Sequence, residues 1–220
     1  LKLAIRIQEM EEFHALPHSP SLTRALGLVF GQKPFMHPRH IGRVHFPSQH
    51  YHRTLPHQDY PYVQGTRNTL TCWCPLGDVP ATMGPLAILV GSHKLGQQKL
   101  IKAGADADAP WMTDLTPFRG ICEWATADFE AGDVLMFRSF TVHMALDNDM
   151  DEVRLSLDCR AQPEAEPVSA RALKPNWDRQ TWPEIYSASK WNDPSLQYYW
   201  KNVDLDVVEE ENFDQMAFHS

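Results

Sequence analysis

Between Phe35 and about Asp158 no stretch of the chain keeps one hydrophobic pattern for long. Short alternating or apolar segments are cut by Pro, Gly, Asn and Asp, a texture that restricts the region to a β-sandwich or barrel. The pattern predicts strands at Ile41–Phe46, Asn68–Pro75, Leu86–Val90, Asp133–Ala145 and Val153–Arg160, and a loop over Pro110–Gly120. Ahead of them, residues 1–16 carry Leu3, Ile5, Met10, Phe13 and Leu16 near helical spacing, and Ser21 is placed to cap a second short helix through Leu28. Residues 163–200 are rich in Pro, Trp and Tyr and take no assignment, while the acidic Val208–Asn212 reads as a solvated end. No solenoid-like period repeats. The 220 residues therefore read as one domain, mainly β with flanking helices, with a core over about 35–160 and an extension over 161–220.

Composition narrows the partners. Hydrophobic residues make up 43% and charged residues 22%, as in soluble globular proteins. No apolar run approaches the roughly 18 residues that a membrane span needs. No signal peptide is evident, although a start at Leu1 rather than Met leaves room for upstream residues. The net charge of −8, with no Lys/Arg cluster, argues against nucleic acid as partner or substrate. Cys72, Cys74, Cys122 and Cys159 are too few and too scattered for a disulfide framework. Reduced thiols in a cytoplasmic compartment are the expectation. Cys72 and Cys74 lack a second Cys or His pair at finger-like spacing, which argues against zinc there. A monomer or homodimer acting on a small molecule is expected.

The most informative stretch runs from Gly132 to Met144 and resumes at Val153–Asp158, with the turn-forming Asp147-Asn148-Asp149 between. Folded as a hairpin centred between Asn148 and Asp149, it sets His143 opposite Arg154 and Thr141 opposite Ser156. One face then holds Ser139, Thr141, His143, Arg154, Ser156 and Asp158. The other holds Phe140, Val142, Met144, Val153, Leu155 and Leu157. The polar face is either solvent-facing or the lining of a polar cavity.

His57-Gln58-Asp59 supplies a second constellation. In an extended segment residues two apart point the same way, so an imidazole and a carboxylate can grip one metal. With the distant His143 they make two histidines and one carboxylate, the ligand set of non-haem Fe(II) oxygenases, which leaves coordination positions open. A chelating keto acid fills two such positions, and its far carboxylate wants a cation, which Arg154 is placed to supply, with hydrogen bonds from Ser156 and Thr141. The tripeptide alone is a weak signal; its context gives it weight. His45, His50 and His52 read as surface or core histidines, and His93 is the rival ligand.

These residues resemble the phytanoyl-CoA dioxygenase-like branch of the Fe(II)/2-oxoglutarate-dependent oxygenases. The matching stretches are His57-Gln58-Asp59, Trp73 within Thr71–Leu76, Gly84-Pro85-Leu86, Gly91-Ser92-His93-Lys94, Gly132-Asp133, and His143 through Ser156. The resemblance spans about residues 35–160. It implies a double-stranded β-helix (jelly-roll, cupin-like) core, His57, Asp59 and His143 as iron ligands, Arg154 as the 2-oxoglutarate anchor, and Trp73 in the cosubstrate pocket. Where several members carry a hydroxyl residue two positions after the distal histidine, this chain has Ala145. Thr141 or Ser156 compensates, or Arg154 holds the cosubstrate mainly alone.

The implied reaction uses Fe(II), 2-oxoglutarate and O2, releases succinate and CO2, and hydroxylates an unactivated C–H bond of a small organic molecule. Asp59 argues against a halogenase, whose carboxylate ligand is replaced; a desaturase, epimerase or ring-forming oxidase shares the same iron site. A non-catalytic metal- or ligand-binding β-barrel is the alternative of a different class, and Arg154 argues against it. A zinc hydrolase would need a general base, and Glu123 and Glu130 show no motif for one. Tyr60, Tyr62, Arg67 and Met144 are the candidates for contact with substrate, whose identity the fold alone does not choose.

Overall fold

A computed structural model describes residues 2–47, 54–106, 108–176 and 180–211. The helices are α1 (Lys2–Gln8), α2 (Glu11–Ala15), α3 (Pro20–Phe30), α4 (Tyr60–Val63) and α5 (Trp182–Ser187). The strands are β1 (Pro34–Met36), β2 (Ile41–His45), β3 (Leu70–Pro75), β4 (Leu86–Leu89), β5 (Leu100–Lys102), β6 (Trp111–Thr113), β7 (Trp124–Ala125), β8 (Leu135–Arg138), β9 (His143–Ala145), β10 (Arg154–Pro163), β11 (Val168–Ser169) and β12 (Val207–Val208).

Two antiparallel sheets make the β-sandwich that the alternating pattern predicted, in the jelly-roll form that the family resemblance implied. In the larger, β10 is the spine: β2 pairs with its first half and β1 with its last residues along one edge, β3 pairs along the other, and β8 adds to β3. In the smaller, β4 stands between β7 and β9. Period-two alternation sorts the faces of β3 and β10. Leu70, Cys72 and Cys74, with Leu157, Cys159 and Ala161, turn outward and bury against Phe13 of α2 and Leu22 and Leu26 of α3. Thr71, Trp73, Arg154 and Asp158 turn inward and line a slot between the sheets, opposite Leu86, His143 and Ala145.

The hairpin expected between His143 and Arg154 is not formed. Strand β9 pairs with β4, and β10 pairs with β2 and β3, so Arg154 stands opposite His45 and not His143. Alternation fixes which face a side chain takes and does not name the neighbouring strand, so the pattern fits any antiparallel partner. The expected turn is instead a crossing between sheets. Asn148 anchors it by donating from Nδ2 to the carbonyls of Glu152 (2.8 Å) and His45 (3.2 Å). The polar face is nonetheless interior: Ser139, Thr141, His143, Arg154, Ser156 and Asp158 are all buried, while Val153 and Leu155 are exposed.

The strand expected over Asp133–Ala145 is likewise two, β8 and β9, in different sheets, because the chain turns at Ser139–Val142. The loop expected over Pro110–Gly120 contains β6 and a 3-10 turn at Thr116–Phe118. The single N-terminal helix breaks at Glu9–Met10, where His14 Nε2 takes the Gln8 carbonyl (2.8 Å) and Met10 is extended. Helix α3 starts one residue before Ser21, with Pro20 in its first turn, and ends on Gly31 in the left-handed conformation. The unassigned C-terminal aromatics form a core of their own: Ile185, Tyr186, Trp191 and Trp200 pack with Val168 and with Phe35 of β1. Val208 lies in β12, paired in parallel with β11, so the acidic end begins in regular structure.

Candidate metal centre and adjoining pocket

His57 and His143 are brought together by backbone. They form an isolated antiparallel bridge in which each N–H donates to the other's carbonyl at 3.0 Å. The ring centroids are 4.1 Å apart. Each ring also bonds the carbonyl two residues upstream through Nδ1, His57 to Leu55 (2.8 Å) and His143 to Thr141 (3.0 Å). With Nδ1–H donating, both Nε2 lone pairs are left for a metal. Asp59 does not continue a strand as expected. Its backbone is helical (φ −74°, ψ −28°) at the entry to α4, and this turn, rather than period-two alternation, carries its carboxylate to within 3.7 Å of His57 Nε2. Among the described residues, His57, Asp59 and His143 form the one group of three that could hold a metal ion, with ligand atoms within 4.8 Å of one another.

The surrounding charges fit that donor set. Burial would raise the Asp59 carboxyl, but Arg160, donating from Nη2 (2.8 Å) and Nε (3.3 Å), holds it well below the usual carboxylate range. The Thr71 hydroxyl also donates to Asp59. Burial, then the neighbouring His143, pushes His57 down to about 3, and burial lowers His143 as well. Two neutral imidazoles and one ionised carboxylate are the protonation states that a divalent cation requires of its ligands.

Gln58 and Arg160 were not legible as part of this site. Gln58, fully buried, donates to the carbonyls of Gly96 (2.8 Å) and Phe140 (2.7 Å) and accepts from Gln98 N–H (2.8 Å), clamping the ligand segment in place. Its place in the tripeptide gave no sign of this. Arg160 lies six residues after Arg154, on the same face of β10, and that even spacing was the available signal.

Arg154 lines the same slot as His143 although the two strands do not pair. Its Nη1 donates to Ser156 Oγ (2.9 Å), its Nη2 meets His45 Nδ1 (3.2 Å), and its guanidinium lies 5.5 Å from the Trp73 ring. Burial draws it down to about 10, so it stays charged at neutral pH, and its buried Nε has no partner among the described residues. Ala145 lines the slot and Thr141 does not, which leaves Ser156 as the hydroxyl on Arg154. The slot is narrow, 10 Å³. Arg43, paired to Asp158 at 2.7 Å, lines both the slot and a larger cavity of 740 Å³ and so stands at their junction.

His57, Asp59 and Tyr62 border the larger cavity, the Tyr62 ring 6.1 Å from that of His57. Tyr60 stacks on Phe140 at 4.5 Å, Arg67 lies over the same ring at 5.8 Å, and Met144 pairs with Ala87; none of these three lines either cavity. His45 is buried against Arg154, His93 sits on a 3-10 turn apart from the metal group, and His50 and His52 lie outside the described residues. No described helix is long and apolar enough to cross a membrane.

Comparison with known proteins agrees with this geometry. The profile of the family described as phytanoyl-CoA dioxygenase (PhyH) matches residues 6–156. The 1-deoxypentalenic acid 11-beta-hydroxylase of Streptomyces arenae is 28% identical over 191 residues, 82% of this chain and 65% of that protein. The protein of the same name from Streptomyces exfoliatus is 30% identical over 139 residues, 58% of this chain and 45% of that one. The chain thus spans less than two thirds of either relative. Of solved structures, the epimerase SnoN with Fe3+, alpha ketoglutarate and nogalamycin RO shares the fold (TM-score 0.60, 23% identity, 72% of this chain and 61% of that one). So does EvdO2 of Micromonospora carbonacea var. aurantiaca complexed with 2-oxoglutarate (TM-score 0.54, 20% identity, 72% and 67%). On the profile match, which spans more than half of its length, the chain belongs to the phytanoyl-CoA dioxygenase family of Fe(II)/2-oxoglutarate-dependent oxygenases.

Proposed function

We propose that the chain is an Fe(II)/2-oxoglutarate-dependent dioxygenase that hydroxylates a C–H bond of a small organic molecule in the cytoplasm. The observation that carries this reading is the metal-ready trio: two imidazoles with Nδ1 fixed on backbone carbonyls and one carboxylate held ionised, beside a buried arginine whose Nε has no partner among the described residues. Iron bound by His57, His143 and Asp59, with 2-oxoglutarate and O2, supplies the oxidising chemistry, with succinate and CO2 as co-products. The chain's own residues bind and orient. Arg154 and Ser156 receive the far carboxylate of 2-oxoglutarate, with His45 steadying the guanidinium and Trp73 walling the slot. Seating the cosubstrate in so narrow a slot requires side chains to part, and Arg43, Thr54 and His57 border both the slot and the larger cavity. Substrate enters that cavity beside Tyr62.

Hydroxylation is favoured over halogenation because the carboxylate ligand is present, and the Streptomyces relatives are named hydroxylases. Epimerisation stays a second reading because SnoN carries that name on the same fold. The test is succinate release from 2-oxoglutarate with Fe(II) across a small-molecule library, with product mass distinguishing an added oxygen from none. His143→Ala should abolish Fe(II)-dependent succinate formation, and retained turnover would sink the metal assignment.

A further inference from the structure

The 740 Å³ cavity is of small-molecule size, and its lining is lopsided in charge. Arg39, Arg43, Arg160 and Arg171 border it, and Asp59 is the single acid among the lining residues. In a chain of net charge −8 this gathering is not a product of composition. The arginines differ in what occupies them. Arg160 is held by Asp59 and Arg43 by Asp158. Arg39 donates to the carbonyls of Pro175 (2.5 Å) and Asn176 (2.8 Å), which fixes the 174–176 segment at the rim. The Arg171 side chain makes no hydrogen bond or ion pair among the described residues. It stands on the 3-10 turn Ala170–Leu173, and its charge is felt by the Tyr62 phenol, whose ring packs near His57. The basic wall and the metal group thus border one space. The remaining wall is mostly apolar, with Ile41, Leu55, Val63, Pro110 and Trp111, and Thr54 and Asn176 add uncharged polar groups.

We propose that this pocket takes a molecule with an apolar body and one anionic head, carboxylate or phosphate, and that Arg171 receives the head. A guanidinium at the edge of a partly enclosed cavity attracts an anion more strongly than one in open water, because fewer solvent dipoles screen it. The apolar body is left against Trp111 and Leu55, in the same space that His57 and Asp59 border. This assignment rests on the oxygenase reading above, since it takes the large cavity as the substrate's and the slot as the cosubstrate's.

The test compares 1-adamantanecarboxylate, 1-adamantanephosphonate and the neutral 1-adamantanecarboxamide, titrated calorimetrically into the full chain loaded with Ni(II) and 2-oxoglutarate. Nickel occupies the metal group without turnover, and the cosubstrate fills the positions where a carboxylate could otherwise chelate. At least one anion should bind about tenfold or more tightly than the amide. Which anion binds better tells carboxylate from phosphate. Arg171→Gln should bring anion and amide to within about twofold of each other, while Arg171→Lys keeps part of the preference. Thermal midpoints of both variants near the parent's establish that they fold. An amide as tight as the anions, a preference that survives Arg171→Gln, or no binding by any probe overturns the proposal. Failure of 2-oxoglutarate to bind the Ni(II) protein, measured in the same titration, would instead strike the oxygenase reading; normal cosubstrate binding with no anion preference strikes only the present inference.

Discussion

Replacing Arg160 with Met should destabilise the metal-free protein by an amount that depends on pH. Asp59 and Arg160 are both buried, and Arg160 gives the carboxylate two of its hydrogen bonds. Without it the carboxylate keeps the Thr71 hydroxyl and no neighbouring guanidinium. Breaking a buried pair from one side costs about 3–5 kcal/mol. Protonation offers an independent ceiling. Forcing a group with an ordinary pKa of 3.8 to stay neutral costs about 4 kcal/mol at pH 7 and about 2 kcal/mol at pH 5, at about 1.4 kcal/mol per pH unit.

The sign follows from the two native states. In the parent, Asp59 is depressed, so its stabilisation is present above 3.8 and lost below. In Arg160→Met the carboxyl is raised, so the deficit is largest at neutral pH and shrinks on acidification. For a chain of 220 residues, each kcal/mol moves the melting temperature by about 2–4 °C, so the loss at pH 7 should be about 8–16 °C. Circular dichroism melts in EDTA at pH 5, 6 and 7 measure it. Asp59→Leu/Arg160→Met, which removes both charges, should recover most of the loss. A deficit that does not change with pH, or a double variant as unstable as the two single variants combined, would refute the reasoning.

Arg154→Ala should raise the 2-oxoglutarate concentration needed for half-maximal succinate release by about tenfold or more. His45→Ala, which removes the partner at Arg154 Nη2, should give a smaller rise; an unchanged requirement in both would remove Arg154 from its role. Stability should fall between pH 6.5 and 4. Burial holds His14 and His37 at about 4 in the folded chain, so their stabilisation is full above 6.5 and lost as pH drops, about 2 kcal/mol for each at pH 5. Urea titrations should show this slope flattened in His14→Gln. Gly84→Ala should cost about 2–3 kcal/mol, because Gly84 has φ +70° and an added Cβ would lie 2.7 Å from the Leu146 carbonyl and 2.9 Å from the His45 ring. A urea midpoint like the parent's would show that this corner yields.

The sandwich-or-barrel class and six of the twelve strands were legible because alternation and turn residues are local signals, the jelly roll followed from the family resemblance, and the pattern of residues 139–158 left open whether their polar face met solvent or a cavity. Strand partnership was not. The segregation of Ser156 and Asp158 from Leu155 and Leu157 is the same whether β10 lies beside β9 or beside β2 and β3. The hairpin was therefore misread even though His143 and Arg154 do line one slot. The trio His57, Asp59 and His143 came together from a wrong local premise: a strand was assumed where the chain enters a helical turn at Asp59. Gln58 escaped notice because its partners, Gly96, Gln98 and Phe140, are remote in sequence and carry no motif. The C-terminal aromatics likewise have no period to read, since they fill a three-dimensional gap beside Phe35.

The mutual backbone bridge of His57 and His143 bears on how the protein assembles. These residues are distant in sequence, and the chain between them supplies strands to both sheets, β3 and β8 to one and β4 to the other. The clamp on Asp59 spans a longer separation still, because β10 carries Arg160. Such non-local contacts form late in folding, after their loop-closure entropy has been met. A fragment that ends before β10 lacks Arg160 and so cannot hold the complete site. Metal capture becomes a readout of completed folding, and an ion that binds the native arrangement alone draws the last step of assembly forward.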